Sequence, residues 1–230
     1  MFSSLSEIAF QVSIWLLPVL LAITLHEAAH GYAAFLLGDD TAKRMGRVTL
    51  NPLRHVDPFG TIVLPGILLL LRSSFLFGYA KPVPVDFGRL GNPKRDMIWV
   101  AAAGPACNIV LAFGSVLLLH LVRDLHDPFD AWLANNLINS MNLNLILAVF
   151  NLLPIPPLDG GRIAVGVLPY RLALPLARME RVGILLVLGV GILLPLLGQQ
   201  VGMELNPLGW LIGVPVAWLA EFMLNAAGVK

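Results

Sequence analysis

Three ionisable side chains fall within five positions of an otherwise apolar stretch, in His26-Glu27-Ala28-Ala29-His30. On a helix, residues four apart share a face, so both imidazoles can bind one metal ion. Glu27 lies one position along from His26, beside such an ion rather than on it. Two nitrogen ligands and a neighbouring carboxylate suit zinc hydrolysis, in which the carboxylate takes a proton from a metal-activated water. Ionisable groups inside apolar helices are costly and usually functional, and three together need a joint reason.

Zinc at such a site needs a third protein ligand and leaves a fourth position for water. The best candidate is Asp159, in Asn151-Leu-Leu-Pro154-Ile-Pro156-Pro157-Leu158-Asp159-Gly160-Gly161. The prolines end the preceding helix and force irregular backbone, which at membrane depth is tolerated only inside protein or beside a water-filled cavity. The single cysteine, Cys107, excludes a Cys-based metal site and a disulfide framework.

The elements that position these residues must be membrane helices. Of 230 residues, 57% are hydrophobic and 13% charged, and the mean hydropathy is +0.81. A soluble domain of this size has too little interior to hide that surface. Disorder, a nucleic-acid-binding module and an ordinary cytosolic enzyme are excluded, and a net charge of +1 names no partner. The N-terminus has no Lys or Arg before its apolar run and is a poor cleavable signal peptide.

Apolar runs predict spans at Ile8–Leu37 (with a bend or protrusion at Pro18), Met97–Val122, Trp132–Leu153, Val182–Gly198 and Pro207–Ala227. Thr61–Leu71, followed by Arg72, Ser73 and Ser74, is too short to cross and reads as re-entrant. If Thr61–Tyr79 crossed, the Lys and Arg residues would split ten to five; if it dips and returns, fourteen of the fifteen share one face. The second split fits the excess of Lys and Arg on cytosolic loops. It places the N-terminus outside, Lys43–Arg95 and the C-terminus in the cytosol, and only Arg123 outside. The first and third spans then run in the same direction, so Asp159 can reach the depth of His26 and His30.

His26-Glu-x-x-His30 followed by Asn151-x-x-Pro-x-x-x-Leu-Asp159-Gly resembles the site-2 protease family of intramembrane zinc metalloproteases. Gly46-Arg-Val-Thr-Leu-Asn51-Pro-Leu-Arg-His55-Val-Asp-Pro-Phe-Gly60, Tyr79-Ala-Lys-Pro-Val-Pro-Val85 and Gly104-Pro-Ala-Cys-Asn108 resemble its compact prokaryotic branch, without PDZ or CBS domains. The resemblance implies one zinc per chain, held by His26, His30 and Asp159, with Glu27 as catalytic base. It also implies that Asn151 helps to bind substrate or the oxyanion.

The expected fold is an all-α multi-pass membrane protein with five to six transmembrane helices and a re-entrant, extended cytosolic-side segment around residues 40–90. Residues 1–230 form a single membrane-embedded peptidase domain, with a catalytic core at about 8–161 and C-terminal helices at 162–230. The expected activity is that of a zinc metalloendopeptidase of the cell membrane, cleaving a transmembrane helix of another protein, with the lipid bilayer and no nucleic acid as its other partners. One rival is a prenyl-protein protease, whose Glu ligand has no matching motif around Glu180, Glu204 or Glu221. A non-proteolytic scaffold or a metal transporter is the alternative from another class, but a transporter needs staged ligands and a scaffold does not need Glu27.

Other residues carry weaker signals. Asn108, Asn135, Asn139, Asn142 and Asn144 read mainly as interhelical hydrogen-bonding groups, with Asn144 and Asn151 on one face and able to line one cavity. His55 reads as a structural hydrogen bond, and His120 and His126 as interfacial. Lys81-Pro-Val-Pro-Val85 cannot be helical and is either an extended edge for an unwound substrate or a rigid linker. Trp15, Trp99, Trp132 and Trp210 read as an aromatic belt, and Gly183, Gly189 and Gly191 as points of close helix packing.

Overall fold

A computed structural model describes residues 5–70, 78–122 and 128–229. Arg72, Ser73, Ser74, Arg123 and His126 lie outside the described residues. In chain order the helices are α1 (Leu5–Leu36), α2 (Thr41–Arg44), α3 (Leu64–Leu70), α4 (Pro93–Val122), α5 (Pro128–Asn151), α6 (Asp159–Val167), α7 (Tyr170–Arg178), α8 (Glu180–Leu188), α9 (Leu194–Gln200) and α10 (Pro207–Ala226). No strand occurs among the described residues. Five helical stretches are long and apolar enough to cross a membrane: Ala9–Leu36, Pro93–His120, Phe129–Asn151, Val182–Gln200 and Pro207–Ala226. The all-α multi-pass expectation is met.

Helix α4 is the hub and packs against α1, α5 and α6. Its buried residues, Ala101, Gly104, Pro105, Asn108, Ala112, Ser115 and Val116, recur at helical spacing and form one inward stripe. Helix α1 does the same with Ile14, Pro18, Ala22, His26 and His30, each four residues from the last. The helix runs on through Pro18, so the metal-binding pair continues an apolar seam whose far side exposes Leu16, Leu17 and Leu21. Gly38, at φ +109°, lets the chain turn off the end of α1.

The pairing of side chains fixes the directions of the helices. His26 meets Asn108 and His30 meets Val100, so α1 and α4 are antiparallel. Asn139 of α5 reaches Ile14 and Trp132 reaches Ser13, so α5 runs parallel to α1. This brings Asp159 to the level of the histidines, as the sequence required.

Between α1 and α4 the chain forms no full crossing. A π-helical stretch, Pro58–Val63, continues into α3. Its thirteen residues span about 20 Å, short of a hydrocarbon core of about 30 Å. The Tyr79 N–H then donates to the Gly60 carbonyl at 3.0 Å and the Thr61 hydroxyl to the Tyr79 carbonyl at 2.9 Å. The chain has come back to the end of the helix from which it left.

The C-terminal half requires a correction. The charge count puts the two termini on opposite faces. In the structure Leu208 and Ile212, early in α10, pack with Leu153 and Leu158 beyond the end of α5. Met223 packs with Ala112, Val116 and Met141, and His120 contacts the Ala227 carbonyl. Helix α10 therefore runs parallel to α4 and ends at the end of the bundle where α1 starts. The physical reason is that the opposite-face expectation counts Val182–Gln200 as a crossing between α5 and α10. A bare Cβ on Gly183 would collide with the Pro156 carbonyl, so that stretch starts, like α10, at the Asp159 end. Residues 201–206 reach at most about 25 Å and cannot return across a core of about 30 Å, so the stretch and α10 do not both cross. Of the three glycines read as packing points, Gly183 makes a close approach and Gly191 is buried, whereas Gly189 faces open space.

Candidate metal centre

The bundle gathers His26 and His30 from α1 and Asp159 from the first turn of α6 into one buried cluster. The two Nε2 atoms are 3.1 Å apart, and each lies 3.3 Å from Asp159 Oδ2. Zinc bonds of about 2.0–2.2 Å at tetrahedral angles place ligand atoms about 3.3–3.6 Å apart, close to the sides of this triangle.

The hydrogen bonds behind the cluster set its electrostatics. Asn108 Nδ2 donates to Asn144 Oδ1 at 2.7 Å and to the Ala22 carbonyl at 3.4 Å, which leaves Oδ1 to accept. His26 Nδ1–H donates to that oxygen at 2.5 Å. His30 Nδ1–H donates to the Val100 carbonyl at 2.7 Å. With hydrogen on Nδ1, each neutral imidazole turns a lone pair inward from Nε2. Asp159 Oδ2 is buried and has no hydrogen-bond partner. Three acceptor atoms thus converge, an arrangement that suits a cation and fits zinc in its donor set. Asn144 in turn donates to the Ser140 carbonyl at 2.8 Å, which anchors the relay in α5.

The backbone has been cleared for this approach. A Cβ on Gly104 would lie 2.4 Å from His30 Nε2 and 2.6 Å from His26 Cε1. A Cβ on Gly160 or Gly161 would strike the backbone of Leu152 or Pro156, so the Pro-rich turn after α5 can fold closely over the start of α6. An acidic residue in the first turn of a helix also suits the helix dipole.

Glu27, Asn151 and Arg162 line the same cleft, together with a wall made by Pro82, Val83, Val85 and Phe87. Glu27 Oε2 accepts the Val83 N–H at 2.8 Å. Asn151 Nδ2 spends one hydrogen on the Leu147 carbonyl at 2.9 Å and has a second to offer. The expected sharing of a cavity by Asn144 and Asn151 is corrected: Asn151 lines the cleft, while Asn144 is buried beneath it against Asn108, because α5 turns that position toward α4. His55 is buried, with Nε2 paired to the Thr49 carbonyl at 3.1 Å, and forms no part of the cluster.

Comparison with known proteins agrees with this chemistry. The sequence profile of peptidase family M50 matches residues 131–195. Over 176 residues the chain is 39% identical to "Putative zinc metalloprotease YwhC" of Bacillus subtilis, covering 75% of this chain and 77% of that protein. The chain belongs to peptidase family M50. Similarity extends to "Putative zinc metalloprotease Rip2" of Mycolicibacterium smegmatis, 36% identical over 141 residues, or 61% of this chain and 52% of that one. It also reaches "Putative zinc metalloprotease MJ0611" of Methanocaldococcus jannaschii, 38% identical over 64 residues, covering 28% and 31% of the two chains. No solved structure matches the chain. This M50 chain is a zinc metalloendopeptidase of the site-2 protease type in a multi-pass membrane protein. The M50 profile includes Asn151 and Asp159, whereas the histidine pair lies N-terminal to it.

Sequence reading undervalued two residues. Gly104 and Asn108 lie one helical turn apart on α4, one giving the histidines space and the other holding His26. The available signal was their four-residue spacing, which puts both on one face, but nothing local says which element that face meets.

Proposed function

We propose that this protease works inside the bilayer, cutting a transmembrane segment of another protein, with residues 1–230 as one membrane-embedded unit whose catalytic core is about 8–161. The observation that carries the reading is the triangle of His26, His30 and Asp159, built on the inward seam of an apolar spanning helix with Glu27 beside it. In this reading those three residues hold the metal and Glu27 is the base. Bound zinc would supply Lewis-acid polarisation of the scissile carbonyl and acidify a water molecule.

The chain's own residues then divide the work. Glu27 accepts the proton that water loses as its oxygen bonds to the carbonyl carbon, and passes that proton to the amide nitrogen as the C–N bond breaks. Asn151 turns its second N–H toward the carbonyl oxygen as that atom gains charge. Asn108 and Val100 keep the imidazoles in the tautomer that binds metal. A helical substrate has its amides already paired, so it must unwind locally to present a carbonyl to the cleft.

For orientation we place the face carrying Lys43–Arg95 in the cytosol of a cell-membrane protein. With the end of α10 at the N-terminal face, all twelve Lys and Arg among the described residues fall on the cytosolic side. The test is cleavage of a reconstituted membrane substrate by wild type and by Glu27→Gln, with zinc content measured on both. Loss of about 10²–10⁴-fold in rate with zinc retained supports the base assignment. Equal cleavage by the two proteins overturns it.

A further inference from the structure

The Lys81-Pro-Val-Pro-Val85 stretch forms a strap along the cleft wall, and its composition has a consequence for hydrogen bonding. Pro82 and Pro84 have no N–H, so Val83 carries the one backbone donor between Lys81 and Val85. That donor goes to Glu27 Oε2 at 2.8 Å. The carbonyl of the same peptide unit, Pro82 O, accepts from Arg47 Nη2 at 3.3 Å, and the preceding carbonyl, Lys81 O, accepts from Nη2 at 2.7 Å. Arg47 and Glu27 therefore grip opposite ends of one peptide group.

The surroundings make that grip specific. Arg47 is buried, an expensive place for a guanidinium that serves no purpose. Pro82 and Pro84 restrict the strap to extended backbone. Its ends are pinned separately, with the Lys81 N–H on the His55 carbonyl at 2.9 Å and the Asp86 N–H on Asp39 Oδ2 at 2.7 Å. Gly31, one turn beyond Glu27, lets the strap seat closely, since a Cβ there would lie 3.0 Å from Val83 Cγ1. A cation on the carbonyl end also polarises the peptide and strengthens its N–H as a donor.

We propose that Arg47 is a positioning residue for the catalytic base, fixing Glu27 through the Pro82–Val83 peptide. The inference rests on the assignment of Glu27 as base. It holds that Arg47 orients the carboxylate for proton transfer and contributes little to metal or substrate binding.

The test uses the full zinc-loaded chain in detergent. Amide hydrogen exchange is followed at Val83, and cleavage is followed with a fluorophore–quencher peptide bearing an apolar segment of about 20 residues. Arg47→Met should speed exchange at Val83 by about tenfold or more while amides around His26 stay protected. It should lower kcat by about 10²-fold, the cost of a misplaced catalytic group, with KM and zinc content unchanged. Arg47→Lys, which can still reach one carbonyl, should restore part of both. Val83→Pro removes the N–H and leaves Arg47 in place, so it should lower kcat alike and decides the matter if Arg47→Met does not fold. Unchanged exchange at Val83 in Arg47→Met, or wild-type kcat in Val83→Pro, overturns the proposal. General loss of protection with loss of zinc in Arg47→Lys also overturns it, because the role would then be structural. If Glu27→Gln cleaves as fast as wild type, the base assignment fails instead, while the exchange result still reports on the Arg47 clamp.

Discussion

His26 Nδ1 donates to Asn108 Oδ1 across the α1–α4 interface at 2.5 Å. Asn108 is fully buried and its amide is used at both ends, accepting from His26 and donating to Asn144 and Ala22. A leucine there fills similar space but leaves Nδ1 without an acceptor and frees the ring to turn or change tautomer. Outer-shell partners of this kind are worth about 10–100-fold in metal affinity. Asn108→Leu should weaken zinc binding by about that factor, measured by chelator competition. Wild-type affinity would show that the histidine is oriented by packing alone.

The ligand assignment makes a sharper demand. His26→Ala, His30→Ala and Asp159→Ala should each lose most of the bound zinc, because two remaining ligands hold it poorly. Glu27→Gln should retain about one zinc per chain, since its carboxylate oxygen is engaged with Val83. Metal analysis of the four purified variants checks this. Asp159→Asn with full zinc and full activity would mean that the third ligand lies elsewhere.

Two glycines of α4 provide an internal control. Gly104 faces the histidines, whereas Gly114 has nothing within 4 Å of its would-be Cβ. Gly104→Ala should displace His30 and cost zinc affinity and activity, since a Cβ at 2.4 Å from Nε2 cannot be accommodated without movement. Gly114→Ala should keep both and gain up to about 1 kcal/mol from helix propensity. Thermal unfolding with and without chelator separates the two. A harmless Gly104→Ala would show that α4 can draw back at no cost to the site.

The sequence made the local elements and the chemistry legible and left the partner of each face open. Long apolar runs and the four-residue spacing of His26 and His30 are properties of one helix, readable without knowing its neighbours. The Pro-rich turn announced irregular backbone before Asp159. Asn108 looked like any other amide in a membrane helix, because what distinguishes it is the ring of His26, 82 positions away. The direction of α10 was hidden for a similar reason. Lys230 is the only Lys or Arg beyond α9, so the positive residues barely constrain that helix, and packing of Leu208 and Met223 decides it.

The turn after α1 should show in acid stability. Burial pushes the Asp39 carboxyl up, but the Thr41 hydroxyl and N–H and the Asp86 N–H donate to it and hold it below its ordinary value. A lowered folded value means that the stabilisation is complete above the unfolded value, about 3.8, and fades as pH falls through the folded one. Below that range wild type and Asp39→Asn should converge in melting temperature, whereas at neutral pH the variant should melt lower. An equal gap at both pH values would remove Asp39 as the titrating group.

The last prediction concerns the two ends of the chain. His120, near the end of α4, contacts the Ala227 carbonyl at the end of α10, and Ser13 near the start of α1 meets Trp132 at the start of α5. These contacts put both ends of the described chain at one end of the bundle, opposite the cleft wall and Arg89. Reporters fused before Ser6 and after Val229 should therefore read the same side, and one inserted after Arg89 the other. The charge count alone predicts opposite readings for the two termini. A C-terminal reporter that shares the side of Arg89 would mean that α10 runs antiparallel to α4. The packing of Met223 against Val116 would then have to be abandoned, and with it the route by which α10 buttresses the helix that carries Asn108.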